Sequence, residues 1–167
     1  MKYKYISNYK QFEDEEVEAL KTIIEKKKNK DCNNILEVGT KAGLVTMMLS
    51  DVSEKVTSID NEVFWSPSTR DHLALNNIHN VNFYQTDNVA KKVEETIGDK
   101  PEVIYMDTPE LSKSKVLDLV KNTQKKFSDY KAGLLISRNE GKFDVEVIEE
   151  QKKTTRKKQS VEKEPTA

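Results

Sequence analysis

The sequence predicts an α/β fold, a mostly parallel sheet with helices on both faces. One pattern predicts it. Short apolar runs of strand length alternate with segments of helical period from Asn34 to Ser137. Repeated βα units of that length build parallel sheets with right-handed crossovers.

The elements follow in order. Gln11 to Lys28 predicts a helix, because Phe12, Val17, Leu20, Ile23 and Ile24 fall near helical period. Its acidic start (Glu13 to Glu16) and basic end (Lys26 to Lys28) complement the helix dipole and describe a solvated face. Asn34 to Val38 predicts a buried strand, Leu44 to Val52 a helix, and Val56 to Ile59 a second strand. Pro67 to Asn76 predicts a helix capped by Ser66, with Pro67 at the first helical position. Val81 to Gln85 is a third strand, and Val89 to Ile97 a helix ended by Gly98. Glu102 to Met106 is a fourth strand, Leu111 to Phe127 a long helix, and Ala132 to Ser137 a fifth strand. Beyond it, Phe143 to Glu149 alternates apolar and polar residues, the pattern of a one-sided antiparallel edge strand. Such an edge suits pairing with a second copy or a partner chain.

At 167 residues the chain has the length of one domain, expected over 1–150, with 151–167 as a disordered charged tail. Hydrophobic residues make up 35% and charged residues 34%, and the formal net charge of -1 disfavours a uniformly basic nucleic-acid coat protein. The tail carries Lys152, Lys153, Arg156, Lys157 and Lys158, a solubilising terminus or a contact for nucleic acid or an acidic partner. The chain's longest apolar runs, as at Ala132 to Ile136, are far shorter than the roughly 20 residues that span a membrane. MKYKYISNYK lacks the apolar core of a secretory signal, so a cytoplasmic protein is expected. Cys32 is the only cysteine, which excludes an intrachain disulfide and cysteine-rich zinc sites, and reads as a half-buried thiol before a strand.

The chemistry concentrates at the predicted carboxyl ends of the strands, where ligands bind in doubly wound sheets. ILEVGTKAG (Ile35 to Gly43) runs from a strand through a glycine turn into a helix. Gly39 lets the backbone approach a ligand, and Gly43 lets the helix start close to it. The dinucleotide fingerprint would need glycines at 39, 41 and 44, but Lys41 and Leu44 stand at two of them, which disfavours a nicotinamide-dependent oxidoreductase. Asp60, 21 residues after Gly39, ends the second strand, where a carboxylate can accept both ribose hydroxyls. Asp87 ends the third strand segment and Asp107 the fourth, so with Glu37 four acids fall on one rim. A cationic or hydrogen-bond-donating ligand would relieve their repulsion.

These motifs resemble the class I S-adenosylmethionine-dependent methyltransferases over Gln11 to Ser137. ILEVGTKAG resembles the first motif, VTSID the ribose-binding second strand, NNIHNVNFYQTD (Asn76 to Asp87) the approach to the adenine site, and VIYMDTPE the fourth motif. The resemblance implies a Rossmann-like methyltransferase fold of strand order 3-2-1-4-5 with one later edge strand, and S-adenosyl-L-methionine as cofactor. It also implies roles. Glu37 would act near the methionine amino group, Gly39, Thr40, Lys41 and Gly43 would wrap the methionine and ribose parts, and Asp60 would bind the ribose hydroxyls. Asn61 would lie along the adenine, Asp87 with Asn88 beside it would take the adenine amino group, and Asp107 would line the methyl-transfer mouth as the catalytic candidate. Lys41, where the family often has glycine, is expected to point to solvent.

The acceptor is not legible. Adenine-methylating enzymes show a second proline and an aromatic where this chain has Thr108-Pro109-Glu110. Catechol-type metal-dependent enzymes have an Asp-Asn pair where Arg138-Asn139 stands, and a lone Asp107 is a poor magnesium site, so no metal is expected. Ribose-methylating enzymes use a Lys-Asp-Lys-Glu set, for which Arg138 and Glu146 are imperfect substitutes. The chain after the fifth strand is short for the family, so acceptor-binding elements are expected to be reduced. The leading expectation is methyl transfer to an O or N nucleophile of an unidentified acceptor. The alternatives are a catalytically degenerate cofactor-binding or scaffolding subunit and a nucleic-acid methyltransferase using the tail. His72 and His79 are expected to pack or face solvent. Phe64 and Trp65 suit core packing or an adenine cover, and Tyr3, Tyr5 and Tyr9 a packed arm or a lid.

Overall fold

The computed structural model describes residues 14–27, 33–61, 65–130, 133–139 and 142–148. Helix α1 (Asp14–Lys27) precedes β1 (Asn34–Val38), α2 (Leu44–Val52), β2 (Lys55–Asp60), α3 (Trp65–Leu75) and β3 (Val81–Gln85). Then come α4 (Val89–Ile97), β4 (Val103–Met106), α5 (Lys113–Lys126), β5 (Leu134–Asn139) and β6 (Lys142–Val147). The strands form one sheet in the order β3-β2-β1-β4-β5-β6. β1 to β5 pair in parallel, and β6 runs antiparallel on β5 as the outer edge. This is the predicted 3-2-1-4-5 order with its later edge strand.

The period of two along each strand divides the core. Ile35, Val56, Val103, Tyr105, Leu134 and Ile136 pack with α1, α2 and Leu73 of α3. The alternate residues Leu36, Val38, Ile59, Ile104, Met106 and Leu135 pack with α4 and α5. Burial on both faces is why β4 and the start of β5 read as continuous apolar runs, whereas β1 and β2 carry the buried polar residues Glu37, Thr57 and Ser58 within them. In α1, Val17, Leu20 and Ile24 are buried, the stripe of an amphipathic helix. Burying each such side chain contributes about 1.5–3 kcal/mol. Helix α2 is buried from Leu44 through Leu49, so it has no polar face to show periodicity.

Two local expectations are corrected, at the starts of α3 and α5. Ser66 does not precede α3 as its cap: the helix begins at Trp65, so Ser66 and Pro67 both lie in the first turn. Proline is tolerated there because the first four backbone N–H groups have no intrahelical acceptor. Helix α4 ends at Gly98 as expected, with Gly98 in right-handed conformation, φ -57°, and Lys100, φ 59°, as the left-handed turn residue after it. Helix α5 starts two residues later than expected, after Ser112, whose hydroxyl accepts from the Lys115 N–H at 3.2 Å. Residues 11–13 and 28 of the expected first helix, Tyr3, Tyr5, Tyr9, Cys32, Phe64 and the 151–167 tail lie outside the described residues. Among the described residues, no helix is long and apolar enough to cross a membrane.

Candidate active site

Register brings three strand ends together. Val38 of β1 pairs with Ile59 of β2 and with Met106 of β4, so the next residues, Gly39, Asp60 and Asp107, emerge side by side. The Gly39 N–H donates to the Ile59 carbonyl at 2.8 Å, and the Asp107 N–H to the Val38 carbonyl at 2.9 Å. Gly39 has φ +100°, and a Cβ built on it would stand 2.1 Å from the Asp107 carbonyl oxygen. The backbone leaving β4 therefore already demands glycine at 39, before any ligand is considered.

The loop from Gly39 to Gly43 turns through three left-handed residues, Gly39, Lys41 (φ 49°) and Gly43 (φ 87°). For a side-chain-bearing residue that conformation costs about 1–2 kcal/mol. Lys41 is held in it from both sides. Its N–H donates to Asp60 Oδ2 at 2.7 Å, and its carbonyl accepts the Thr69 hydroxyl. Gly43 closes the turn onto the Thr40 carbonyl at 3.0 Å and precedes α2 without a side-chain cap.

The Lys41 side chain does not point to solvent as expected. Its Nζ lies 3.1 Å from Asp107 Oδ2, and Arg138 Nη1 approaches the same oxygen at 3.8 Å. Arg138 also pairs with Glu16 of α1 at 3.2 Å. The pull of a partly buried carboxylate across the strand ends keeps the lysine inward. A cavity of about 100 Å³ lies here, lined by Gly39, Lys41, Asp60, Asn61, Asp107, Thr108, Pro109 and Glu110.

Beneath the loop lies Glu37, fully buried. Its Oε1 accepts the Ser58 hydroxyl at 2.5 Å and the Thr46 hydroxyl, and Ser58 is bonded to the buried Thr40 hydroxyl at 2.5 Å. Its Oε2 has no hydrogen-bond partner. Burial pushes the Glu37 carboxyl up to about 8 against the pull of Ser58 and Thr46, and the negative charges of Asp60 and Asp107 add to the rise.

The structure thus brings Gly39, Lys41, Asp60, Asn61 and Asp107 to one cavity, with Glu37, Thr40 and Gly43 supporting it from below. Asp87 and Asn88 stand apart from its lining. Asp87 lies two residues beyond β3 and is exposed, and Asn88 Oδ1 caps α4 by accepting the Lys91 N–H at 3.1 Å. A backbone bond from Thr86 N–H to the Asp60 carbonyl, 3.0 Å, ties that loop to the site. Sequence reasoning missed Ser58, Thr46, Thr69 and the Arg138–Glu16 arm. Ser58 had a signal: it is a polar residue inside a buried strand, two before Asp60 and so on the same face. His72 packs as expected, buried with Nδ1 2.7 Å from the Ala42 carbonyl. A larger cavity of about 460 Å³, lined by Ser50, Asp51 and residues 76–80, lies beside the amino-terminal ends of the strands, away from these acids.

No known family profile and no curated protein sequence matches the chain. Solved structures do. A Staphylococcus aureus protein assigned as a caffeoyl-CoA O-methyltransferase shares 21% identity at TM-score 0.58, covering 77% of this chain and 58% of that one. The O-methyltransferase from Bacillus cereus in complex with SAH shares 14% identity at TM-score 0.61, covering 79% and 59%. An rRNA methylase from Streptococcus thermophilus shares 14% identity at TM-score 0.53, covering 78% and 72%. The chain spans less than two thirds of the length of the first two. Strand order, the loop after β1 and these likenesses agree: the chain has the Rossmann-like fold of class I methyltransferases.

Proposed function

We propose that this chain is an S-adenosylmethionine-dependent methyltransferase acting on an O or N nucleophile of a separate acceptor. One observation carries the reading. The Asp60 carboxylate, at the end of β2 and only 5% exposed, is aligned by the Lys41 N–H and shares a cavity with Gly39, Asn61 and Asp107. An acid so placed suits two ribose hydroxyls.

The residues present fit that cofactor. It carries an ammonium group, ribose hydroxyls and an adenine amino group, all donors, and the site offers Asp60, Asp107 and the unpartnered buried Glu37 Oε2. In this reading Gly39, Thr40, Lys41 and Gly43 wrap the methionine and ribose parts. Asn61 lies along the adenine, and Asp87 with Asn88 takes the adenine amino group. Glu37 sets the potential near the methionine amino group, and Asp107 lines the mouth where the acceptor enters. Bound, the cofactor supplies a methyl group on a sulfonium, and the protein's part is orientation and exclusion of water. A cavity of about 100 Å³ is small for an adenosyl ligand, so Lys41 must leave Asp107 as the ligand enters.

A second reading, a cofactor-binding subunit without catalysis, is favoured by one feature. Asp107 lies near both Lys41 and Arg138, and two cations oppose its taking a proton from an acceptor. Calorimetric titration with S-adenosylmethionine, S-adenosylhomocysteine and NAD tests cofactor binding. Micromolar binding of the first two without NAD supports it, and NAD binding alone sinks it. Methyl transfer from labelled cofactor then separates the enzyme from the subunit.

A further inference from the structure

Among the described residues, no cation is paired with Glu37. Across the sheet its register neighbours are Ser58 on β2 and Tyr105 on β4, which packs with the same core face. The charged or titratable groups acting on it are Asp60 at the end of β2, Asp107 after β4 and the Tyr105 phenol. Helix α2 gives it the Thr46 hydroxyl, and the loop above reaches it through Thr40 and Ser58. Among the described residues, the cations at the strand ends are paired with other acids: Lys41 with Asp107, and Arg138 with Asp107 and Glu16. His72 of α3 is turned to the Ala42 carbonyl. An ionised Glu37 would therefore add a third negative charge beside Asp60 and Asp107, with Oε2 buried and meeting no donor.

We propose that Glu37 holds a proton in the ligand-free site and releases it to solvent when a cationic ligand binds above Asp60 and Asp107, so that this buried carboxyl favours a sulfonium over a neutral thioether. The inference deepens the methyltransferase reading and rests on it. The charges balance: a positive ligand enters, and a proton leaves the Glu37 carboxyl. Linkage makes the effect reciprocal, since a cation that eases the loss of the proton is bound more tightly once the proton is gone. Burial places the free-site titration near pH 8, so the coupling operates at and below that pH. S-adenosylmethionine carries one positive charge more than S-adenosylhomocysteine, and so displaces the larger fraction of a proton. Glu37 acts through the field it sets and is a specificity-determining residue that need not touch the reacting atoms.

The test is calorimetry of the full chain with both ligands at pH 7, in two buffers of different ionisation enthalpy, with affinities followed from pH 6 to 8.5. The expected result is greater proton release with S-adenosylmethionine. Its affinity advantage over S-adenosylhomocysteine should widen about three- to tenfold as pH rises, bounded by about tenfold per pH unit for one full proton. In Glu37→Gln, both the excess release and the widening of the affinity ratio with pH should vanish, whatever the change in absolute affinity. If that variant fails to fold, Ser58→Ala replaces it: losing a donor to the carboxylate should move the pH window upward. Binding without proton release, or release unchanged by the substitution at 37, overturns the inference and leaves the methyltransferase reading standing. Absence of binding by either ligand across the pH range overturns both.

Discussion

Gly39 and Asp107 touch backbone to backbone: a Cβ on Gly39 would lie 2.1 Å from the Asp107 carbonyl oxygen. The contact fixes where β1 and β4 end relative to each other, and so where the site can form. Gly39→Ala combines a clash against backbone with a disfavoured φ of +100°. It should lower unfolding free energy by about 2–3 kcal/mol. Urea denaturation measures it, and an unchanged midpoint would mean the two strand ends are not packed this way.

Asp60 anchors the loop and, in the proposed function, the ribose. Asp60→Ala should weaken S-adenosylhomocysteine binding by about 1–3 kcal/mol, the cost of an unmet buried hydrogen bond. Asp60→Asn keeps an oxygen for the Lys41 N–H and should lose less. Titration of the two folded variants checks the order, and equal affinity to the parent removes Asp60 from the site.

Glu37 makes stability depend on pH. Its carboxyl is raised from the ordinary carboxylate range to about 8 in the folded chain, so folding favours the protonated form. That contribution is fully present below the unfolded value, about 4.3, and is lost as pH rises toward 8. The loss is at most about 1.4 kcal/mol for each pH unit. Glu37→Gln, neutral throughout, should gain on the parent between pH 5.5 and 8 in urea unfolding. A constant difference across that range would mean Glu37 is ionised in the folded state.

Tyr130 offers a control remote from the cavity. Its buried hydroxyl donates to the Pro101 carbonyl at 2.8 Å. Tyr130→Phe should cost about 1–2 kcal/mol of stability with ligand affinity unchanged. Weakened binding in that variant would show that loss of stability alone reaches the site.

The order of elements was legible because burial on both faces leaves short apolar runs in β4 and β5 and helical period in α1, with β1, β2 and β3 apolar enough to be read between turns. The acids at strand ends were legible for the same reason: once β1, β2 and β4 are aligned, Gly39, Asp60 and Asp107 must adjoin. What surrounds Glu37 was not, because Thr46 and Ser58 arrive from two different elements. Lys41 was read outward, since nothing in ILEVGTKAG tells that Asp107 and Arg138, far along the chain, would stand where its side chain can reach. Asp87 and Asn88 were placed at the adenine by resemblance alone; in the folded chain they follow β3 by two and three residues, and Asn88 starts α4. Long-range electrostatics and turn geometry, both tertiary, account for these differences.

The measurement that tests the central claim most directly is amide chemical-shift mapping of the chain titrated with S-adenosylhomocysteine. The account predicts the largest shifts at Gly39, Lys41, Gly43, Asp60 and Asn61. Shifts confined to Ser50, Asp51 and residues 76–80, around the larger cavity, or no shifts at saturating ligand, would contradict it.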